Sequence, residues 1–242
     1  MHAENVQGGV RVNGVKRPCS LARSMDMLTA SVLLQRGDNS SDQLAVVLIP
    51  ANSPGIRVTP FWGSFALVGA ESEQIAVEDV FVPDELVIRT TVSEGRSLDE
   101  LQVAGFLWFE LLICASYLGA ASALVERALS DHRMSSTDRV RLVGELEAAM
   151  AGLENVARQI GPTTGDEELL GDALFARYAV QDTIARVVPR AVELLGGLRF
   201  IGSDDIAYLS AVVNGLGFHP PSRARMADPL AQFLAGHPLT IA

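Results

Sequence analysis

A single carboxylate stands in a long apolar stretch of this chain. The segment "GFLWFELLICASYLGAASALV" runs from Gly105 to Val125, and Glu110 is its only charged residue. Withdrawal from water raises the pKa of a carboxyl group, which suits it to act as a general base near neutral pH. The alternative is a carboxylate at a helix edge that pairs with a basic side chain or faces solvent. Glu110 is therefore the candidate catalytic base, and its structural interpretation stays open.

Other residues that could do chemistry have a structural interpretation that we favour. His219 lies in "GFHPPSR", where two prolines predict a rigid turn, so a structural or surface role is favoured over a catalytic one. His237 is predicted to lie on the surface near the C-terminus. Phe61 and Trp62 could line a ligand face, but aromatic packing explains them better.

Composition excludes several classes of function. The 242 residues are 48% hydrophobic and carry a formal net charge of −10, which predicts a globular core and a surface that repels nucleic acid and anionic lipid. Neither Cys19 nor Cys114 belongs to a pair with metal-ligand spacing. Two unpaired cysteines and a polar, glycine-containing N-terminus favour a cytoplasmic location.

The apolar stretch is also long enough to cross a bilayer. Its second half consists mainly of Gly, Ala, Ser and Cys, and aromatic residues do not flank both ends. Small residues let neighbouring helices approach closely. The stretch is therefore predicted to be a central helix of a soluble bundle rather than a membrane span.

The first third of the chain has the pattern of strands and turns. "GGVRVNG" alternates and closes on Asn13-Gly14, which predicts a turn. "LTASVLLQ" and "QLAVVLIP" predict a hairpin, and "ESEQIAVEDVFVPDELVI" predicts a strand that ends at Pro83. Residues 1–92 are therefore predicted to form a small, partial antiparallel β domain.

Helical periodicity replaces this pattern after Ser93. Ser97 and Glu100 have capping-box spacing, "TTVSEGRS" is the predicted linker, and a second helix is predicted to end at Gly161-Pro162. The predicted core positions of that second helix are Val140, Val143, Leu146, Met150, Leu153 and Val156. A third long helix containing Pro189 and two shorter helices follow. The order predicts an α+β fold, with an antiparallel α-helical bundle over residues 93–242.

The order of these segments carries a family resemblance. "GGVRVNGVKRPCSLARSMDMLTASVLL", "LAVVLIPANSPGIRV" and "AESEQIAVEDVFVPDELVI" resemble the second part of the middle β-domain of the acyl-CoA dehydrogenase superfamily. "ASYLGAASALVERAL" and "AVELLGGLRFIGSDD" resemble its C-terminal helical domain. The resemblance implies an FAD-dependent oxidoreductase that oxidises an acyl thioester at its α,β-carbons. It also implies a homo- or hetero-oligomer in which a partner chain supplies the N-terminal helical domain.

The same resemblance implies cofactor-binding residues in both parts of the chain. "NGVKRPCS" places Ser20 where the family has a hydroxyl residue facing the flavin ring, with Cys19 beside it. Arg133 in "DHRMSSTDRV" stands near the position of a family arginine that reaches a flavin pyrophosphate, although the family's Phe-Gly is absent and Arg139 lies nearby. Both arginines could instead cap a helix or pair with acids.

The end of the third helix is the other implied cofactor contact. Gly196 and Gly197 match a Gly-Gly whose backbone approaches the cofactor of a neighbouring subunit, and Glu193 falls where a glutamine is common. Glycine permits such close approach, although a plain helix C-cap explains the pair as well. No metal site is predicted.

The chain departs most from the family at the positions of the catalytic base. Ala235 stands before Gly236 in "FLAGHPL", where many family members have a catalytic glutamate. Other members place that glutamate about ten residues before the "LG" of the first helix, whereas Glu110 lies nine residues before Gly119. Three functions stay open: desaturation with Glu110 as base, flavin-dependent oxygenation, which needs no α-proton base, and a non-catalytic partner of a complete homologue.

Overall fold

The computed structural model describes residues 1–35, 42–93, 100–132, 134–161 and 167–241, and the side chains of these ranges except 91–101. The chain divides into two compact units, Met1–Asp99 and Glu100–Ala242. The predicted Ser97 cap, the second half of the predicted linker and Pro162 lie outside the described residues. The first half of that linker, residues 90–93, is not a linker but the end of a strand.

The first unit is built on one sheet of seven described strands. In sheet order they are β5 (Ile56–Thr59), β6 (Glu73–Pro83), β2 (Gly9–Cys19), β1 (His2–Val6), β3 (Met27–Leu34), β4 (Gln43–Pro50) and β7 (Val87–Ser93). Every described pairing is antiparallel except the short parallel pairing of β1 with β3, so the sheet is mixed. The predicted β3–β4 hairpin and the strand ending at Pro83 are confirmed.

Alternation along the strands explains why this sheet has one buried face. Leu28, Ala30, Val32 and Leu34 of β3 are each at most 3% exposed, while the residues between them are more exposed. The predicted turn at Asn13-Gly14 is wrong. These residues lie inside β2, where the pairing register with β6 shifts between Val12 and Gly14 and Gly14 has a φ of 148°. Asn-Gly here serves a β-bulge, which needs the same backbone freedom as a tight turn.

The second unit is helical throughout its regular elements. The described helices are α1 (Glu100–Leu129), α2 (Ser136–Gln159), α3 (Glu167–Leu195), α4 (Gly197–Ile201), α5 (Asp204–Val212) and α6 (Arg223–Leu234). A 3-10 segment at Val213–Phe218 follows α5. The predicted α+β fold class is confirmed, and α4 is a short helix that the sequence analysis did not anticipate.

Helix α1 is the central element of the bundle. Leu107, Cys114, Leu118 and Leu124 are completely buried, and α1 packs against α2, α3, α5 and the 3-10 segment. Within the described residues, α1 is the one helix that is long and apolar enough to cross a membrane by length and composition. Its packing inside the bundle matches the prediction of a central bundle helix.

The apolar stripe of α2 differs from the prediction at the beginning of the helix. Leu146, Leu153 and Val156 are buried as expected, but Val140 is 76% exposed. Leu142 occupies the first core position instead. Val140 and Val143 continue the three- and four-residue spacing of the later core residues, but they lie on the exposed side of α2, at 76% and 39% exposed.

Candidate functional site

Glu110 forms a buried ion pair with an arginine of α3. The Arg177 Nη1 atom lies 2.8 Å from Glu110 Oε1 and 2.6 Å from Oε2, and both side chains have an exposed fraction of 0%. Burial raises the pKa of the Glu110 carboxyl, and the Arg177 guanidinium opposes that rise. Since a guanidinium keeps its proton in proteins, an ionised Glu110 leaves no uncompensated charge in the core.

Arg177 also binds the segment that follows α5. Its Nη2 atom donates to the carbonyl oxygens of Leu216 and His219 at 3.1 and 2.5 Å, and Nη1 donates to that of Pro220 at 3.2 Å. Gln181, one turn further along α3, also donates to the Leu216 carbonyl. One guanidinium therefore joins α1, α3 and residues 216–220, and it fixes the backbone on either side of His219.

His219 lies half-buried against two aromatic rings of α1. Its Nε2 atom is 2.8 Å from the Tyr117 hydroxyl, and its ring meets Phe109 edge-on at a centroid distance of 6.1 Å. Gly215 permits this arrangement, because a Cβ there would lie 2.5 Å from the Tyr117 hydroxyl oxygen. Burial, assisted by the positive charge of Arg177, lowers the pKa of His219 from 6.5, so the imidazole is neutral at pH 7.

An exposed apolar face adjoins this histidine. Trp108, Phe109 and Leu112 of α1 are 49%, 37% and 62% exposed, and Phe218, next to His219 in the chain, is 85% exposed. Leu112 follows Phe109 by three residues and Trp108 by four, so these three side chains share one side of α1, and exposed apolar patches of this kind mark binding surfaces. The helical unit thus presents a neutral imidazole beside apolar and aromatic side chains.

Cys114 lies one turn from Glu110 but is not a reactive thiol. It is completely buried, and burial raises its pKa to about 12, with the Glu110 carboxylate adding to the effect. A thiol with so high a pKa carries almost no thiolate at neutral pH.

The predicted cofactor residues of the helical unit lie at the far end of α3. Glu193 is 16 residues beyond Arg177, or about 24 Å along a helix, and it is exposed and bonded to Arg190 at 2.8 Å. Gly196 follows α3 with a φ of 83°, and Gly197 begins α4. A Cβ added at either glycine meets nothing within 4 Å, so their backbone faces open space in this unit.

The remaining predicted residues are placed differently from one another. Ser20 is exposed at the end of β2, and its hydroxyl bonds that of Ser72 at 3.1 Å. Cys19 is 5% exposed and packs in the core of the β unit. Arg133 lies outside the described residues. Ala235 caps the end of α6, as its position before Gly236 implied.

Arg177 was missed as a functional candidate, and His219 was considered, but a structural or surface role was favoured for it. Arg177 occupies a core position of α3, between the buried Leu174 and Val180. A lone base on an apolar stripe of one helix could have been matched with the lone acid of α1, since buried charges are paired. For His219, the rigid turn that argued for a structural role is also what holds the imidazole in place.

Comparisons with known proteins extend over most of the chain. The isobutylamine N-hydroxylase of Streptomyces viridifaciens is 48% identical over 239 residues, which are 99% of this chain and 63% of that protein. The chain therefore spans less than two thirds of this relative's length. No family model matches the sequence.

Solved structures match at lower identity. KijD3, solved with FMN and dTDP-3-amino-2,3,6-trideoxy-4-keto-3-methyl-D-glucose, superposes with a TM-score of 0.85 at 18% identity, covering 97% of this chain and 62% of that one. The acyl-CoA dehydrogenase of Slackia heliotrinireducens gives a TM-score of 0.77 at 16% identity, covering 97% and 63%. At this identity the likeness establishes the fold, and it confirms the resemblance found in the sequence.

Proposed function

We propose, from the premise that this chain has the acyl-CoA dehydrogenase fold, that it belongs to a flavin-dependent monooxygenase that hydroxylates the nitrogen of a small primary alkylamine. The name and 48% identity of the N-hydroxylase relative support the reaction class and the substrate class. The proposal replaces the α,β-oxidation of an acyl thioester that the family resemblance implied.

The observation that carries the proposal is the state of Glu110. Desaturation of an acyl thioester requires a base that removes an α-proton as hydride leaves for the flavin. Glu110 is enclosed with both carboxylate oxygens bound by Arg177, and Ala235 stands at the other family position for the base. Oxygenation of an amine nitrogen needs no α-proton removal, so it is compatible with both residues as they stand.

Flavin binding is supported by residues on both units. The exposed Ser20 hydroxyl and the open backbone at Gly196 and Gly197 fit the contacts that the resemblance implies. A bound flavin would supply the two-electron chemistry that activates oxygen. Ser20 would hold its ring, and Gly196 and Gly197 would approach the flavin of a neighbouring subunit. FAD is the cofactor expected from the resemblance, while the KijD3 structure contains FMN.

The overall reaction needs two co-reactants that we name by class. An amine R–NH₂, dioxygen, two electrons and two protons give the hydroxylamine R–NHOH and water. The electrons come from reduced flavin, which a nicotinamide-dependent reductase or a chemical reductant regenerates. We further propose that the active form is an oligomer in which the remaining part of the fold completes the site.

The test uses the chain together with a polypeptide that supplies the rest of the fold, reduced flavin, oxygen and isobutylamine. We expect hydroxylamine formation that depends on flavin and oxygen, measured by mass spectrometry, and no desaturation of acyl thioesters. Chromatography of the flavin retained by the complex identifies FMN or FAD. Desaturation without hydroxylamine would restore the dehydrogenase interpretation, and a complex that binds no flavin would favour the non-catalytic partner.

A further inference from the structure

An amine N-hydroxylase has to solve a protonation problem. A primary alkylammonium has a pKa of about 10, like that of the lysine side chain, so only about one molecule in a thousand or fewer is neutral at pH 7. The protonated nitrogen has no lone pair with which to accept oxygen. An enzyme that works near neutral pH therefore gains by removing this proton within its site.

We propose, in an inference that rests on the proposed function, that His219 is the base that removes the proton of the substrate ammonium. The N–H bond of the ammonium breaks, its electron pair stays on the amine nitrogen, and the proton bonds to Nδ1 of His219. The resulting imidazolium donates its Nε2–H to the Tyr117 hydroxyl oxygen, 2.8 Å away. Because His219 is only half-buried, the proton can then pass to solvent.

The geometry around the ring supports this role. With Nε2 at the Tyr117 hydroxyl, Nδ1 is the remaining ring nitrogen, and no residue that the structure describes bonds to it. Arg177 binds the carbonyl oxygens of His219 and Pro220, so the ring is held on a fixed backbone. Pre-organisation of this kind is what a proton acceptor requires.

The neighbouring side chains fit the rest of an alkylammonium. Phe109 touches the His219 ring, Trp108 and Leu112 are exposed on the same side of α1 as Phe109, and Phe218 is exposed beside His219 in the chain. Aromatic rings attract a cation through their negative faces, and apolar side chains bury an alkyl group. A small alkylamine could place its chain on this face with its nitrogen at the imidazole.

The charged groups around His219 favour the neutral form of its imidazole. Arg177 approaches from α3 with Glu110 bound to it, and Tyr117 approaches from α1. Burial raises the pKa of Tyr117, to which Tyr208 of α5 adds, so the phenol stays neutral. The pKa of His219 is lowered by burial and by Arg177. The neutral imidazole is thus the favoured form at neutral pH, where the substrate is still protonated.

The test is the pH profile of His219→Asn in the reconstituted complex. For the wild type we expect kcat/KM for isobutylamine to be nearly flat from pH 7 to about 10 and to fall below pH 6.5. His219→Asn should lose about 10²–10⁴-fold at pH 7. Its kcat/KM should then rise tenfold per pH unit toward the pKa of the amine, because only the neutral amine reacts.

A weakly basic amine separates a base from a merely structural residue. A fluorinated alkylamine that is mostly neutral at pH 7 needs no base, so His219→Asn should use it nearly as well as the wild type does. His2→Asn, at an exposed histidine of β1, is the matched control and should keep the wild-type profile. Equal losses with both amines, or a flat profile in His219→Asn, would overturn the role of His219 while leaving N-hydroxylation intact.

Two further outcomes keep the two proposals apart. Absence of any hydroxylamine from the wild-type complex overturns the proposed function itself. If His219→Asn does not fold, Tyr117→Phe takes its place: without the hydroxyl that accepts from the imidazolium, the acid limb of the profile should move to lower pH. An unmoved acid limb in Tyr117→Phe would overturn the assignment of His219.

Discussion

Two arginines of α3 form ion pairs in opposite surroundings. Arg177 and Glu110 are both completely buried, and the two Nη atoms of the guanidinium also donate to carbonyl oxygens of residues 216–220. Arg190, 13 residues further along, is 37% exposed and bonds Asp138 and Glu193. The first pair is fully desolvated, so the loss of either partner leaves a buried charge, whereas the second pair is partly exposed to solvent and contributes less.

The difference shows how a carboxylate in an apolar stretch should be interpreted. Burial alone made Glu110 resemble a catalytic base, but the partner decides its role. A base needs a free oxygen that faces substrate, and both Glu110 oxygens are bound by Arg177. The chemistry of the helical unit therefore moves to the segment that the pair holds in place, where His219 lies against α1.

Breaking the buried pair should give the largest effect. Arg177→Met leaves Glu110 buried without its partner and releases the carbonyls of residues 216–220. We expect a loss of about 3–5 kcal/mol in the free energy of unfolding, measured by denaturant titration followed by circular dichroism. Arg177→Met combined with Glu110→Leu should recover much of that loss, and a double variant as unstable as the single one would contradict the pairing argument.

Glu110→Gln tests by a smaller change whether Glu110 is the structural partner of Arg177 or a catalytic base. The amide keeps the shape of the side chain but removes one charge, which should cost about 1.5–3 kcal/mol of stability. The folded fraction should keep its rate of flavin-dependent turnover within a few-fold, since Glu110 acts through the backbone it positions. A loss of several orders of magnitude in the single-turnover rate with unchanged stability would identify Glu110 as the base after all.

The sequence predicts the locally determined elements of this fold but not the buried ion pair between distant residues. The strands β3 and β4, the end of β6 at Pro83 and the long helices follow from local periodicity, which the sequence shows directly. The pairing of Glu110 with Arg177 joins residues 67 positions apart, and nothing in the local pattern of α1 reports it. His219 was recognised as rigidly held, but only the packed rings of Phe109 and Tyr117 reveal what it is held against.

The open end of α3 should respond differently from its buried part. Gly196 has a φ of 83°, so Gly196→Ala should cost about 1 kcal/mol of stability through backbone strain alone. Gly197→Ala meets no atom of its own unit within 4 Å and should leave stability within about 0.5 kcal/mol of the wild type. If a flavin approaches this backbone, Gly197→Ala should still weaken flavin binding, measured by fluorescence titration. Unchanged affinity would assign Gly-Gly to the helix end only.

The exposed network should give the smallest effect, and one that depends on pH. The Ser135 hydroxyl and then Arg190 hold the pKa of Asp138 below its ordinary value of 3.8. Since the folded pKa is the lower one, the stabilisation is present above pH 3.8 and is lost as the pH falls through the folded value. Asp138→Asn should therefore lose a little stability at pH 7, and its stability should decline less in acid, measured by denaturant titration between pH 7 and 2.

Ser135→Ala is the control variant. It keeps the Asp138 carboxylate but removes the main cause of its lowered pKa, so its loss of stability in acid should lie between those of the wild type and Asp138→Asn. An acid decline in Asp138→Asn as steep as that of the wild type would show that this exposed network adds nothing that the buried pair does not already provide.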